Sequence, residues 1–160
     1  MIRQVKPADA SLIAGIYNHF IKHSIATFEL DSIDSDEMLN RVKKITASYP
    51  FVVFEENDQI LGYAYASAWK SRKAYARTVE TSVYLHHKAQ GKGIGTRLYS
   101  HLMNELKNKE IHAVIGGISL PNDASVKLHE KLGFQKIGHF KQVGRKFDKW
   151  IDVGYWELLL

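Results

Sequence analysis

The chain has 160 residues, of which 45% are hydrophobic and 24% are charged, and it contains no cysteine. This composition is typical of one globular domain rather than a disordered chain, and the lack of cysteine excludes disulfides, thiolate metal ligands and a cysteine nucleophile. The formal net charge is +5, but the basic residues are scattered among acidic ones, which favours a solvated surface over a nucleic-acid partner.

The first half of the chain predicts a strand, two helices and three further strands. The first helix opens at Pro7, and its apolar stripe consists of Leu12, Ile13, Ile16, Tyr17, Phe20 and Ile21. The second helix follows Ser35-Asp36-Glu37, and Lys70–Ala76 is a basic loop. The strand-like runs of this half are Ile2–Lys6, Phe51–Phe54, Ile60–Ala68 and Val79–Leu85.

The second half predicts a helix, a strand, a helix and two strands. Ile94, Leu98, Leu102 and Leu106 mark the first of these helices, and the second begins at its N-cap Asn122 and ends at Gly133. The strands are His112–Ser119, Phe134–Phe147 and Trp150–Leu160. Only the later units have helical crossovers, so we expect a mixed sheet with parallel and antiparallel pairs.

Neither a leader nor a metal site is expected from the remaining patterns. The segment Met1–Pro7 carries charge where a signal peptide needs an apolar run, and no stretch approaches the roughly 18 apolar residues of a membrane span. A cytoplasmic protein without a membrane partner is therefore expected. Of the eight histidines, His19 and His23 look like a helix surface, and the adjacent His86 and His87 would point to opposite faces of a strand.

The most informative stretch is the glycine-rich run Gln90–Thr96, which joins a strand-like run to a helix-like run. Such a turn presents backbone N–H groups and the positive end of a helix dipole to an anion, and glycine lets the backbone approach it closely. The P-loop spacing is absent, and Thr96 stands where a dinucleotide fingerprint needs its third glycine. The run predicts another kind of phosphate-binding loop, with a plain strand-to-helix turn as the alternative.

The same run resembles the pyrophosphate loop of the GCN5-related N-acetyltransferases (GNATs), Gln/Arg-x-x-Gly-x-Gly/Ala. The segment Asn122–Phe134 is similar to a second motif of that family, Asn-x-x-Ala-x-x-Leu-Tyr-x-Lys-Leu-Gly-Phe. The predicted element order is also the GNAT order. The resemblance therefore implies a single GNAT domain over residues 1–160, an α/β fold with a mixed sheet of about seven strands flanked by about four helices.

Four further strings resemble the phosphinothricin N-acetyltransferases, including the methionine sulfoximine and sulfone acetyltransferases. They are Trp69–Tyr75, Glu80–Tyr84, Leu120–Asp123 and Trp150–Trp156. This resemblance implies transfer of acetyl from acetyl-CoA to the α-amino group of a small amino acid whose side chain carries a tetrahedral phosphinyl, sulfoximine or sulfone group. It also implies a homodimer, and the aromatic segment Trp150–Trp156 suggests an apolar surface for it.

Two residues are expected to carry the chemistry. The α-ammonium must lose a proton before it attacks the thioester, and Glu80 matches the base of the family, acting directly or through water. Its alternative is a charge on the solvated face of a strand. His129 stands where the superfamily commonly has a tyrosine that protonates the departing thiolate, and the alternative for it is helix packing.

The remaining site residues follow from the resemblance. The expected cofactor-binding residues are Val83, Tyr84, Leu85, Gln90, Gly91, Lys92, Gly93, Ile94, Gly95, Thr96 and Asn122, of which the last is equally a helix cap. The expected substrate-binding residues are Phe28, Glu29, Lys70, Ser71, Arg72, Tyr75, Glu80, Thr81 and Ser82, with a solvated basic turn as the alternative for the cationic ones. No metal is expected.

Other functions remain open at this point. One is a GNAT enzyme acting on another amine, such as a different amino acid or a protein N-terminus. Another is a catalytically silent acyl-CoA-binding sensor, which the combination of Glu80 with an intact glycine-rich run disfavours. The last is a basic nucleic-acid binder, which would show steeply salt-dependent affinity.

Overall fold

The computed structural model describes all residues from Met1 to Leu160 and contains the predicted elements in the predicted order. The helices are α1 (Ala10–His23), α2 (Ser35–Thr46), α3 (Ile94–Asn108) and α4 (Asp123–Lys131). The strands are β1 (Ile2–Gln4), β2 (Phe51–Glu56), β3 (Gln59–Ala68), β4 (Thr78–Leu85), β5 (Ala113–Leu120), β6 (Gln135–Lys146) and β7 (Lys149–Leu159). Short 3-10 turns occupy Pro7–Asp9, Lys73–Tyr75 and His87–Ala89.

All seven strands form one sheet in the order β1-β2-β3-β4-β5-β7-β6. Every neighbouring pair is antiparallel except β4 and β5, which are parallel because α3 carries the chain back to the same end of the sheet. The mixed sheet predicted from the sequence is confirmed. None of the helices is long and apolar enough to cross a membrane.

Apolar side chains fill both faces of the sheet. On one face, α3 contributes Leu98, Leu102 and Leu106, which pack with Val52 and Phe54 of β2. On the other face, α1 and α2 pack against the alternate residues of the same strand. Since β2 is covered on both sides, four consecutive residues of it, Phe51–Phe54, are buried. The sheet is therefore packed against helices on both of its faces.

Three local predictions were wrong. Leu12 lies at the edge of the α1 stripe and is exposed, and Trp156, expected on an outer apolar surface, is buried in the core. The helix α2 begins at Ser35, because the side chain of Asp34 accepts the backbone N–H of Glu37 at 2.8 Å and so caps it.

The histidines also lie differently from the prediction. The chain leaves the strand after Leu85, so the rings of His86 and His87 are not on opposite strand faces but stack with centroids 4.3 Å apart. His19 of α1 stacks on His87 at 4.9 Å and lies 4.9 Å from His23. No group of three or more histidine, aspartate or glutamate side chains has the geometry of a metal site.

Candidate active site

The central feature of the site is a separation between β4 and β5. These strands pair only through Thr78 with Ala113, Val79 with Val114 and Glu80 with Ile115. Beyond Glu80, β4 stays paired with β3 up to Leu85, and β5 stays paired with β7 up to Leu120. The sheet therefore opens after Glu80, and the backbone of residues 81–85 loses its strand partner on that side.

A cleft of about 620 Å³ occupies this opening. Its walls come from the separated strands, the start of α3, the start of α4 and the end of α1 with the loop that follows. The cleft thus reaches both faces of the sheet, and two molecules that enter from opposite faces would meet between β4 and β5. The lining residues are Phe20, Ser24–Ala26, Thr81–Leu85, Gln90, Gly91, Gly93, Gly95, Thr96, Tyr99, Gly117–Ser119, Pro121, Asn122, Ala124, Ser125 and Lys127–His129.

The glycine-rich run forms the wall at the start of α3. Gly91 and Gly93 have φ values of 74° and 73°, in the left-handed region that favours glycine, and Gly93 is the N-cap of α3. No side chain caps this helix, so the N–H groups of its first turn are free to bind an anion. Most of the run lines the cleft, but the side chain of Lys92 does not, and Ile94 is buried in the core.

The opposite wall is the N-terminal part of α4. Asn122 lines the cleft and also caps α4, since its side-chain oxygen accepts the N–H of Ser125 at 3.2 Å. Two turns on, His129 lies at the inner end of this wall and is 3% exposed. Both functions considered for Asn122 in the sequence are therefore geometrically compatible.

The ring of His129 is fixed by hydrogen bonds to both nitrogens. Nδ1 lies 2.8 Å from the backbone oxygen of Ser125, which can only accept, so Nδ1 carries the proton. Nε2 is left to accept from the hydroxyl of Tyr99 at 3.3 Å. Burial lowers the pKa of His129, which keeps the ring neutral. To protonate a thiolate, His129 must first gain a proton at Nε2.

Glu80 lies where the strands part, on the sheet face that α1 covers. Tyr84 is four residues further along β4, so its side chain points to the same face of the sheet as that of Glu80. The ring centroid of Tyr84 lies 5.2 Å from those of Tyr17 and Phe20 in α1, which shows that this is the face that α1 covers. The side chain of Glu80 is half-buried and is not itself part of the cleft lining, but a methyl group at Gly117, which does line the cleft, would approach its Oε1 to 3.2 Å. Burial raises the pKa of Glu80, and no hydrogen bond or charge offsets this. The role of Glu80 as the base stays a prediction.

The other strand residues divide between the two faces. Ser82 shares the face of Glu80 by strand alternation, whereas Thr81 points to the face of α3 and α4. Both line the cleft. The hydroxyl of Thr81 is buried near that of Tyr99 but makes no hydrogen bond of good geometry, which leaves a polar atom for a bound molecule to satisfy.

The basic loop lies outside the cleft lining. The ammonium of Lys70 stands 5.7 Å from the ring of Trp69 and 5.6 Å from that of Tyr75, and Trp69 contacts Tyr155, which borders Gly117 beside Glu80. This chain of contacts connects Lys70 and Tyr75 to the site. Ser71 and Arg72 are exposed.

The two residues expected from the α1–α2 loop also lie outside the lining. Glu29 forms a bidentate ion pair with Arg41, with distances of 2.7 and 3.0 Å, so its carboxylate already has a partner. Phe28 packs against the backbone of Gly144 in β6. The substrate contacts assigned to these two residues stay predictions.

Several lining residues were missed in the sequence. Ser24–Ala26 follow α1 and match no sequence motif. Tyr99 lies in α3 and is buried, so its sequence pattern is that of an ordinary core residue. Gly117, which lines the cleft, and its neighbour Gly116, which does not, did carry a signal, because glycine inside an apolar strand marks a close approach. A methyl group at Gly116 would lie 2.6 Å from Nε2 of His129.

Comparison with known protein families identifies this architecture. The acetyltransferase (GNAT) domain family matches residues 2–154. The chain belongs to this GNAT acetyltransferase family. The fold, the family and the acetyltransferase activity predicted from the two motifs are confirmed.

Three relatives resemble this acetyltransferase along nearly its whole length. It is 37% identical to the phosphinothricin N-acetyltransferase of Streptomyces viridochromogenes, covering 98% of this chain and 85% of that one. It is 39% identical to the L-amino acid N-acyltransferase MnaT of Escherichia coli, covering 99% and 93%. It is 38% identical to the L-methionine sulfoximine/L-methionine sulfone acetyltransferase of Salmonella typhimurium, covering 99% and 94%.

Two solved structures superimpose closely on this acetyltransferase. That of yncA from Salmonella typhimurium, with its cofactor acetyl-CoA, has a TM-score of 0.97 at 38% identity and covers all of this chain and 93% of the other. That of the ribosomal-protein-alanine N-acetyltransferase from Brucella melitensis has a TM-score of 0.98 at 30% identity, covering 100% and 99%. The same fold thus serves proteins named for different amines.

Proposed function

We propose that this acetyltransferase moves the acetyl group of acetyl-CoA to the α-amino group of a small amino acid with a tetrahedral phosphinyl, sulfoximine or sulfone group in its side chain. The observation that supports this proposal most is the half-buried Glu80, which has no hydrogen-bond partner and stands at the opening of the sheet, in a chain 37% and 38% identical to enzymes named for these substrates. Two molecules entering from opposite faces meet beside this carboxylate.

The face of α3 and α4 suits acetyl-CoA. The free N–H groups at the start of α3 and the left-handed glycines before them provide an anion site for the pyrophosphate. The unpaired backbone edge of residues 83–85 offers N–H groups to the pantetheine arm and to the thioester oxygen, where a lost donor costs roughly 3 kcal/mol in the transition state. The orphan hydroxyl of Thr81 gives the same molecule a further partner.

The face of α1 suits the amine. Glu80 takes a proton from the α-ammonium, directly or through water, and the free amine then attacks the carbonyl carbon of the thioester. The C–S bond breaks as the amide forms, and the departing thiolate takes up a proton. Once bonded to the carbonyl carbon, the nitrogen carries one surplus proton. His129 lies on the thiolate side of the opening, and we assign it to accept that proton at its neutral Nε2 and pass it to the thiolate as the C–S bond breaks.

We further propose that the enzyme is a cytoplasmic homodimer. Exposed apolar side chains are concentrated on β6, β7 and the turn between them, at one edge of the sheet. Contiguous apolar surface of this kind is commonly covered by another subunit. The residues are Ile137, Phe140, Val143, Phe147 and Trp150.

A thiol-release assay with acetyl-CoA tests the substrate assignment. The acceptors are phosphinothricin, methionine sulfoximine, methionine sulfone, common amino acids and a peptide with an N-terminal alanine. We expect turnover of the three tetrahedral amino acids, with kcat/KM at least about tenfold above that of other acceptors, a difference of about 1.4 kcal/mol.

Other outcomes of that assay would overturn the proposal. Turnover of the peptide alone would assign the enzyme to protein N-termini, as in the name of the Brucella melitensis relative. Binding of acetyl-CoA without turnover of any amine would instead assign the chain to acyl-CoA sensing.

A further inference from the structure

Lys146, at the end of β6, is a buried lysine whose ammonium donates hydrogen bonds only to backbone carbonyls of one short segment. It is 3% exposed. Its Nζ donates to the backbone oxygens of Ser24 at 2.6 Å, Thr27 at 2.8 Å and Phe20 at 3.5 Å. The three N–H donors of an ammonium thus match three carbonyls at the end of α1 and in the loop that follows.

This arrangement lacks the acidic partner that usually accompanies a buried cation. Burial lowers the pKa of Lys146, and no carboxylate opposes the effect. The carbonyls at the C-terminus of α1, where Ser24 is the C-cap, carry the negative end of the helix dipole and stabilise the ammonium in place of a counter-ion. A desolvated charge is costly unless it is hydrogen-bonded, so the site depends on these carbonyls staying in position.

The segment that Lys146 binds is the wall of the cleft on the amine side. Ser24, Ile25 and Ala26 line the cleft, and the carbonyls that Lys146 binds flank them. We call residues 24–27 the acceptor loop. On the side of α1, the hydroxyls of Thr27 and Tyr17 form a buried hydrogen bond of 2.8 Å, and the carbonyls of the loop are held by Lys146.

A second contact from the same strand supports the acceptor loop. Gly144, two residues before Lys146, is buried under the ring of Phe28, and a methyl group there would collide with that ring. The strand β6 therefore holds both the carbonyls of the acceptor loop and the side chain that follows it. It does so from the far edge of the sheet, outside the catalytic opening.

We propose that Lys146 is a positioning residue for the amine: by fixing the acceptor loop, it sets the wall against which the amino acid is held beside Glu80. The inference rests on the proposed function, in which this side of the cleft receives the amine. The wall that faces acetyl-CoA is built from α3, α4 and β5 and does not depend on Lys146.

The test compares Lys146→Met, which keeps the length and loses the donors, with Lys146→Arg, which keeps donors and charge. We expect Lys146→Met to raise the KM for the amino acid about tenfold or more, while the KM for acetyl-CoA changes less than about twofold. Lys146→Arg should restore part of the loss. Lys107→Met, at an exposed position in the last turn of α3 and away from both the cleft and the β6–β7 surface, is the matched control and should leave both KM values unchanged.

Hydrogen exchange in the free enzyme provides a readout that does not require an identified acceptor. In Lys146→Met the amides of residues 24–27 should exchange faster than in wild type, with those of the Gln90–Thr96 run unchanged. Unchanged exchange in the acceptor loop would overturn the proposal. Faster exchange in an enzyme that acetylates no amino acid would instead overturn the proposed function and leave the holding role of Lys146 intact.

Two further outcomes decide between positioning and general stability. A parallel rise of both KM values with a lower Tm would assign Lys146 a merely structural role and overturn the proposal. If Lys146→Met does not fold, Gly144→Ala displaces Phe28 and disturbs the acceptor loop from its second support. It should raise the KM for the amino acid alone, and an unchanged KM would count against the proposal.

Discussion

At the residue scale, the surroundings of Glu80 and His129 shift the pKa values of the two side chains in opposite directions. Burial raises the pKa of Glu80 and lowers the pKa of His129, so at neutral pH the first is a stronger base than an exposed glutamate and the second is an uncharged ring. They lie on opposite faces of the sheet at the opening between β4 and β5. Pairs of groups shifted in this way are typical of acid and base assignments in enzymes.

The position of His129 depends on Gly116, which gives the first prediction. In Gly116→Ala the new methyl group would lie 2.6 Å from Nε2, so the imidazole must move and both of its hydrogen bonds are disturbed. Overpacking of this kind costs about 1 to 3 kcal/mol, or a fall in Tm of roughly 2 to 12 °C for a domain of this size. Thermal unfolding followed by circular dichroism measures it, and kcat should fall together with Tm.

A matched glycine controls for the loss of glycine itself. Gly138 in β6 has no atom within 4 Å of an added methyl group, so Gly138→Ala should change Tm by less than about 1 °C. Equal Tm values for Gly116→Ala and wild type would show that the imidazole is not confined as described.

At the element scale, the start of α3 combines a left-handed backbone with free N–H groups. Gly93 has a φ of 73° and is the N-cap, and no atom lies within 4 Å of where a Cβ would stand, so glycine is favoured there by backbone conformation and not by crowding. The turn and the helix start are fixed together because the same residue ends the loop and begins the helix.

The second prediction tests this turn. In Gly93→Ala the methyl group strains the left-handed backbone by about 1 to 2 kcal/mol and turns the first N–H groups of α3 away from the anion. The Kd for acetyl-CoA, measured by isothermal titration calorimetry, should rise about tenfold. Gly15→Ala, at an open position inside α1, should leave the Kd unchanged and slightly stabilise the fold. An unchanged Kd in Gly93→Ala would contradict an anion site at this helix start.

The sequence predicted those parts of the site that depend on local pattern. The turn at Gln90–Thr96, the cap at Asn122 and the strand of Glu80 each follow from residues close together in the chain. The opening between β4 and β5 does not, because strand register is set by distant partners. For the same reason the acceptor loop was missed, since its position is set by Lys146, 119 residues away from Thr27.

At the scale of the whole molecule, the exposed apolar side chains of β6 and β7 distinguish one edge of the sheet. Trp150 is 63% exposed and Phe140 is 56% exposed, although the core elsewhere takes up large apolar side chains. The stacked guanidinium of Arg145, 5.8 Å from the ring of Trp150, covers only part of this surface.

The third prediction is that this surface joins two copies of the chain. Wild type should sediment as a dimer in analytical ultracentrifugation at micromolar concentration, and Trp150→Lys should shift it to the monomer without loss of secondary structure, because a charge would be buried in the contact. Leu12→Lys, at an exposed apolar position on α1, is the control and should remain dimeric. A monomeric wild type would refute the dimer.

The central claim, that Glu80 is the base for amine acetylation, is tested most directly by the pH dependence of kcat/KM for the amino acid in wild type and Glu80→Gln. A protonated carboxyl cannot take a proton, so wild-type kcat/KM should fall as pH falls through the raised pKa of Glu80, at a higher pH than an ordinary glutamate would give. Glu80→Gln should lose this acidic limb and retain roughly one hundredth of the activity or less. Glu157→Gln on β7 should match wild type. A Glu80→Gln enzyme with wild-type kcat/KM and the same acidic limb would contradict the account.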